Sequence, residues 1–207
     1  MKTHLPLYSC FSITVSLFLF GCSDCKNVNL GSKVFTTSER AIIPYSGPDS
    51  IVFMDLDSNI SVFASNDRIN QVLHGVPDED CLSSYYLVEE DRISFYSQDS
   101  SRIVFKIGLE DIATNRKYLD IYLENFTKKS ESYVRNYFES DTIYNSFYPD
   151  SLIYYEWYIL LNKVFFHVYE MKTREYTSTN GIKSFYYTLN EGLIGFKTKN
   201  NEIWRID

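Results

Sequence analysis

The feature that most constrains this chain is a period-two alternation of β-branched and aromatic side chains. A pattern that sends every second residue to one face is buried by packing one side of a sheet. Ile103, Phe105, Ile107 and Leu109 fall on one face while Val104, Lys106 and Gly108 fall on the other. Leu119, Ile121 and Leu123 alternate with Asp120, Tyr122 and Glu124 in the same way. Runs of the same type cover residues 51–56, 60–64, 85–89, 93–97, 152–161 and 163–170. Short polar pieces join them: Asp57-Ser58-Asn59, Glu90-Asp91-Arg92 and Gln98-Asp99-Ser100-Ser101. Connections this tight predict antiparallel hairpins, since a parallel crossover needs a dozen or more residues.

The tail is predicted to be a three-stranded meander over residues 183–188, 193–198 and 202–205, punctuated by Asn190-Glu191-Gly192 and Asn200-Asn201. Asn and Gly tolerate the positive φ angles of tight turns. Leu193, Phe196 and Trp204 stand where they would share a buried face. Two segments read as helical. In residues 128–138, Val134, Tyr137 and Phe138 share a helical face, and residues 67–74 are followed by Gly75 as a terminator. The expectation is an all-β fold, an antiparallel sheet forming a sandwich or half-open barrel, with one or two short helices.

The N-terminus carries a different signal. A short n-region with Lys2 precedes an apolar stretch ending Leu17-Phe18-Leu19-Phe20-Gly21-Cys22. A run of about fifteen apolar residues is short for a bilayer span and ends in a small-residue cleavage site, so it reads as a removed h-region. These residues resemble a bacterial lipoprotein signal peptide, with Leu19-Phe20-Gly21-Cys22 matching the lipobox. The resemblance implies acylation of Cys22, a mature chain that starts there, and attachment to the membrane through acyl chains such as palmitate. It places the protein outside the cytoplasm, in the cell envelope at the outer membrane. Glu191-Gly192-Leu193-Ile194-Gly195-Phe196, with Trp204 after a turn, is similar to the closing segment of uncharacterised secreted lipoproteins of Bacteroidota type. That likeness implies location and a β-rich fold, with no catalytic motif to carry over.

The expected organisation is therefore a signal peptide over 1–21, a polar tether over 22–40 and a single β-rich domain over 41–207. The whole chain has a formal charge of −7, and the signal peptide contributes only Lys2, so the mature side chains sum to −7 − 1 = −8. An acidic chain without a Lys/Arg cluster argues against nucleic acid as a partner and against electrostatic docking on anionic lipid. Of the four Cys, Cys10 leaves with the signal peptide and Cys22 is consumed by lipid. That leaves Cys25 and Cys81, which an extracytoplasmic compartment allows either to form a disulfide or to stay as two thiols.

Motifs for chemistry are sparse. Asp55-Leu56-Asp57-Ser58-Asn59 starts like a calcium loop, but Ile60 and Asn66 stand where that loop needs Gly and a bidentate carboxylate, so it reads as a solvated hairpin turn. The mature histidines, His74 and His167, have no ligands at metal spacing. Neither a nucleophile elbow nor a phosphate or dinucleotide loop is present, and no cofactor is implied. Glu156 with Asp120 or Glu124 would make a carboxylate pair of the glycosidase kind only if the fold brought them together; alone, Glu156 reads as a charge on a solvent face. What stands out is 18 Tyr, 15 Phe and 2 Trp, with Tyr154, Tyr155, Trp157, Tyr158, Tyr186 and Tyr187 putting rings on both faces of their strands. By period two, Tyr154 and Tyr158 flank Glu156 on one wet face, and with Tyr187 they form the candidate binding surface for a small ligand or protein partner. Packing alone is the ordinary role of such rings. Three functions stay open: a non-enzymatic envelope binding protein, a membrane-proximal hydrolase, and a structural part of an envelope assembly.

Overall fold

The computed structural model describes residues 28–77, 84–99, 103–112, 116–125, 130–139, 142–144, 151–173 and 181–207. The lipobox with Cys22, the Cys25–Cys81 pair and the signal peptide lie outside them. The elements are β1 (Asn29–Lys33), a one-turn helix α1 (Thr37–Arg40), β2 (Ser50–Met54), β3 (Ile60–Pro77), β4 (Tyr85–Ser97), β5 (Ile103–Ile112), β6 (Arg116–Asn125), β7 (Ser130–Glu139), β8 (Thr142–Tyr144), β9 (Leu152–Leu160), β10 (Lys163–Lys172), β11 (Ile182–Thr188), β12 (Gly192–Thr198) and β13 (Ile203–Ile206).

All but β1 form one antiparallel sheet in the order β8-β7-β6-β5-β4-β3-β2-β13-β12-β11-β10-β9. β1 pairs in parallel with the start of β4. The sheet curls into a nearly closed barrel: Phe105 on β5 packs against Phe53 on β2 and Phe63 on β3, and also against Phe185 on β11 and Phe196 on β12, with centroids 4.8–6.4 Å apart. Rings from both ends of the strand order can meet only across an interior. Ile51, Ile93, Ile107, Leu109, Leu119 and Ile121 fill the rest of that core. Apolar side chains face inward while Lys106, Asp120, Glu124 and Arg135 ride the outer wall of β5–β7. A lipid-spanning barrel has the reverse arrangement, an apolar band outside and a polar lumen.

Four expectations change. Within the 128–138 segment, residues 130–138 are not a helix but part of β7, whose buried positions are Ser130, Ser132, Val134, Asn136 and Phe138, while residues 128–129 lie outside the described residues. Three of those five inward residues are polar, which hides the period of two and leaves Val134 and Phe138 to imitate a helical face. Residues 67–74 belong to β3, where the poor strand formers Asn66, Asp67 and Asn70 fall at the two register shifts and the paired residues on either side, among them Arg68, Ile69 and Val72, keep the strand on β4. Glu90-Asp91-Arg92 is not a turn but the middle of β4. The polar stretch before residue 41 is in part folded body: β1 and α1 form there and Phe35 is buried.

That stretch enters the barrel as a plug. Thr36 caps α1 in a capping box with Glu39, and Phe35, Ile42, Ile43 and Tyr45 join the core. Two fully buried carboxylates, Glu89 and Asp91, face inward from β4 and hold the plug. Arg40 pairs with both Glu89 oxygens, and the Phe35 amide donates to Glu89 Oε2 at 2.7 Å. Arg68 Nε donates to Asp91 Oδ1 at 2.7 Å while the same guanidinium reaches the carbonyls of Arg40, Ile43 and Tyr45. Both buried carboxylates and both guanidinium groups thus find partners.

Outside the barrel, the β9–β10 hairpin folds back. Only Tyr169–Lys172 of β10 pair with β11, at Ser184–Tyr187. Before Tyr169 the strand bends at His167, whose φ of 54° lies in the left-handed region. The rest of the hairpin lies across the outer face of β11–β13, where Leu160, Phe165 and Val168, with Tyr155 and Tyr158, pack on Tyr186, Ile194, Ile203 and Ile206. Gly195 lets it settle, because a Cβ there would run into the Leu160 side chain and the Trp204 carbonyl. The turn Leu161-Asn162 has both φ angles positive, and Arg205 Nε holds the Leu161 carbonyl at 3.1 Å.

Candidate functional site

β8 and β9 are the two ends of the strand order, and between them the barrel wall is open. A groove of about 890 Å³ occupies this seam. Ile42 and Ala41 of the plug line it from inside, Ile143 from β8, and Tyr154, Phe166, His167 and Tyr169 from the bent hairpin. The bend makes the site: by turning over at His167, β10 presents the neighbours Phe166 and His167 to solvent together, where strict alternation would have hidden one of them. The Tyr154 hydroxyl and His167 Nδ1 share a hydrogen bond at 2.6 Å, and Tyr154 also packs on Tyr169 with centroids 5.3 Å apart. Ser38, Thr142, Thr188 and Asn190 also line the groove, so apolar patches from Ile42, Ile143, Phe166 and Leu189 are interleaved with polar groups.

Of the candidate binding residues, Tyr154 reaches this groove. Glu156 is exposed on β9. Tyr158 does not share a face with Tyr154: it is half-buried under the folded-back hairpin, stacked on Tyr186 with centroids 5.2 Å apart. Tyr187 is fully buried and donates to the Ile42 carbonyl at 2.5 Å, so it fastens the plug and offers no surface. Burial pushes its hydroxyl pKa up, as it does that of Tyr186. The period-two reading of β9 fails because the hairpin twists between Tyr155 and Tyr158. Trp157, Phe166, Tyr169 and Ile143 were not among the sequence candidates. The adjacent pair Phe166-His167 inside an otherwise alternating run was the available signal.

The carboxylate pair does not assemble. Asp120 on β6 accepts from Arg135 and from the Tyr133 hydroxyl and Glu124 pairs with Lys106, so both carboxylates are engaged on the outer wall, while Glu156 is exposed on β9. Beneath the hairpin, Glu170 accepts from Tyr155 at 2.9 Å and from the fully buried Ser184 at 2.8 Å. Burial and the Glu170 carboxylate push the Tyr155 hydroxyl up to about 12. This is a structural network: Ser184 donates into a carboxylate and is shut off from any substrate. Asp55 accepts from the amides of Asp57 and Asn59 and from the Asn59 side chain, which closes the β2–β3 turn and lowers its pKa. Among the described residues, no three His, Cys, Asp or Glu side chains stand together as a metal site requires. A shallower groove on the outer wall, floored by Gly108, is ringed by Glu90, Arg92, Lys106, Asp120 and Arg135, whose charges pair among themselves or with neighbours.

No family model, curated protein or solved structure matches this chain.

Proposed function

We propose that this chain is a lipid-anchored, extracytoplasmic protein of the cell envelope that binds a ligand through the seam groove without transforming it. The observation that carries the reading is the groove itself, a partly apolar trough between the two end strands of an otherwise closed barrel, with the hydrogen-bonded Tyr154–His167 pair on its wall. A concave, mostly apolar site with few convergent polar groups is the form that small-molecule and segment binding takes. The chemistry suited to it is an elongated, partly apolar molecule carrying a hydrogen-bonding group for the rim. The hydrolase reading has weaker support, since His167 Nδ1 is bonded to a phenol instead of a nucleophilic hydroxyl or thiol. Anchoring rests on the Leu19-Phe20-Gly21-Cys22 motif.

Two measurements test the reading. Metabolic labelling with a fatty acid is expected to mark the wild type and spare Cys22→Ala; equal labelling of both removes the anchor. A photo-crosslinking residue at position 154, irradiated in intact cells, is expected to give a discrete adduct that the same residue at position 92, on the outer wall, does not. Identical adducts from both positions would remove the groove as the binding site.

A further inference from the structure

The Tyr154–His167 contact on the groove wall is flat. The two ring planes meet at only 20°, and the 6.3 Å between their centroids is nearly the full length of the path from ring to hydroxyl, across the 2.6 Å hydrogen bond, to ring. The rings therefore lie edge to edge and make one panel. Tyr169 backs it, tilted at 55° to Tyr154, while Tyr154 stays 52% exposed and Phe166, next to His167 on β10, 65% exposed. The groove is also uncharged. In a chain in which 23% of residues are Asp, Glu, Lys or Arg, none of the described residues lining the groove is one of them. Ser38, Thr142, Thr188 and Asn190 supply hydroxyl and amide groups between the apolar patches.

These two properties select a ligand chemistry. An ionic ligand would give up its hydration with no counter-charge to receive it. A wholly apolar one would strip water from the hydroxyls and the amide and return no hydrogen bond. What fits is a neutral molecule with a flat apolar face and hydrogen-bonding groups around its edge. A pyranose has that form: axial C–H bonds cover a face and bring partial positive charge to the negative face of an aromatic ring, while the hydroxyls form the edge. We propose that the seam groove binds a neutral oligosaccharide, with one sugar ring resting on the Tyr154–His167 panel and hydroxyls bonded by the Asn190 amide and the Ser38 hydroxyl. This names the ligand class of the binding site proposed above and rests on that reading. The groove's volume of about 890 Å³ lies within the roughly 300–1,000 Å³ of small-molecule sites.

The test uses the full mature chain with Cys22→Ser, which needs no detergent, and titrates it calorimetrically with hexasaccharides of glucose, xylose, mannose and N-acetylglucosamine, and with one of galacturonic acid as the charged control. At least one neutral hexasaccharide should bind, and the galacturonate should not. Tyr154→Ala removes half the panel and should weaken that binding by about tenfold, whereas Tyr154→Phe keeps the ring and should weaken it far less. Asn190→Ala, in an exposed turn away from Tyr169, should also weaken it with unchanged melting. Failure of every neutral hexasaccharide to bind overturns the proposal. So does equal binding of the galacturonate, or an affinity that survives both Tyr154→Ala and Asn190→Ala. A peptide or a lipid as the adduct formed at position 154 in cells overturns the sugar and leaves the groove as the binding site.

Discussion

The plug of residues 35–45 and the β9–β10 ribbon are both strips of chain laid against the same curved sheet, one on its inner face and one on its outer. They are held by opposite means. The plug is fixed by directional bonds: two fully buried carboxylates, two arginines and the Tyr45 and Tyr187 hydroxyls, each with a named partner. The ribbon is held mainly by apolar contact on Tyr186, Ile194, Ile203 and Ile206. Inside, where water cannot rescue an unsatisfied group, position is specified atom by atom. Outside, apolar burial supplies adhesion, and a left-handed residue with a glycine contact sets the angle.

If that contrast is right, the largest effect should come from the plug. Arg68→Ala leaves Asp91 charged and unpaired in the core and frees three carbonyls, so it should destabilise the fold by about 3–5 kcal/mol in denaturant unfolding. A loss below about 1 kcal/mol would mean that water reaches Asp91 and the interior is not dry. Next should come Gly195→Val, which places a branched side chain where Leu160 and the Trp204 carbonyl now sit. Overpacking of this kind costs about 1–3 kcal/mol, and limited proteolysis should cut first within the lifted hairpin. Cleavage at the plug instead would show that the two strips are coupled.

A pH scan sharpens the comparison further. Burial raises the Glu39 carboxyl, but the Lys117 ammonium and the Thr36 hydrogen bonds outweigh it and hold the pKa below its ordinary value of 4.5. A depressed folded-state pKa means that the contribution is present above 4.5 and is lost as pH falls through the folded value. Lys117→Gln should therefore destabilise at neutral pH and flatten the acid limb of the stability curve. A limb unchanged in shape would place Glu39 outside the plug's fastening. The smallest effect is expected at the rim, where Tyr154→Phe removes an exposed hydrogen bond and should change stability by no more than about 0.5 kcal/mol while weakening capture of the groove's ligand.

Legibility in the sequence followed the same divide. Strands β5 and β6 and the β11–β13 meander stand out because their inward residues are nearly all apolar, so period two is unbroken. Where the interior carries charge or polar groups, the pattern misleads. Asp91 is a buried anchor in what looked like a turn, and Ser132 and Asn136 disguised β7 as a helix. The groove was half legible. Tyr154 and Tyr187 were candidates by aromatic density and Tyr158 by an alternation along β9 that breaks opposite the bend at His167, while Tyr187 turns inward to the plug. A left-handed residue within a strand leaves no mark in a hydrophobicity pattern.

The pairing of β2 with β13 has a consequence for how such a chain becomes a barrel. The first strand of the main sheet meets the last, joined by Met54 with Arg205, Phe53 with Ile206 and the Asp207 amide on the Val52 carbonyl. Every other neighbour in the main sheet is also a neighbour in sequence, so two meanders can zip up locally, one from β2 to β8 and the other from β9 to β13. The cylinder then waits on its most distant contact, the slow step of any topology that must close a long loop. Until β13 arrives, the edges of β2 and β12 stand open to other strands. A chain shortened by its last strand would keep nearly all of its hairpins and lose its closure.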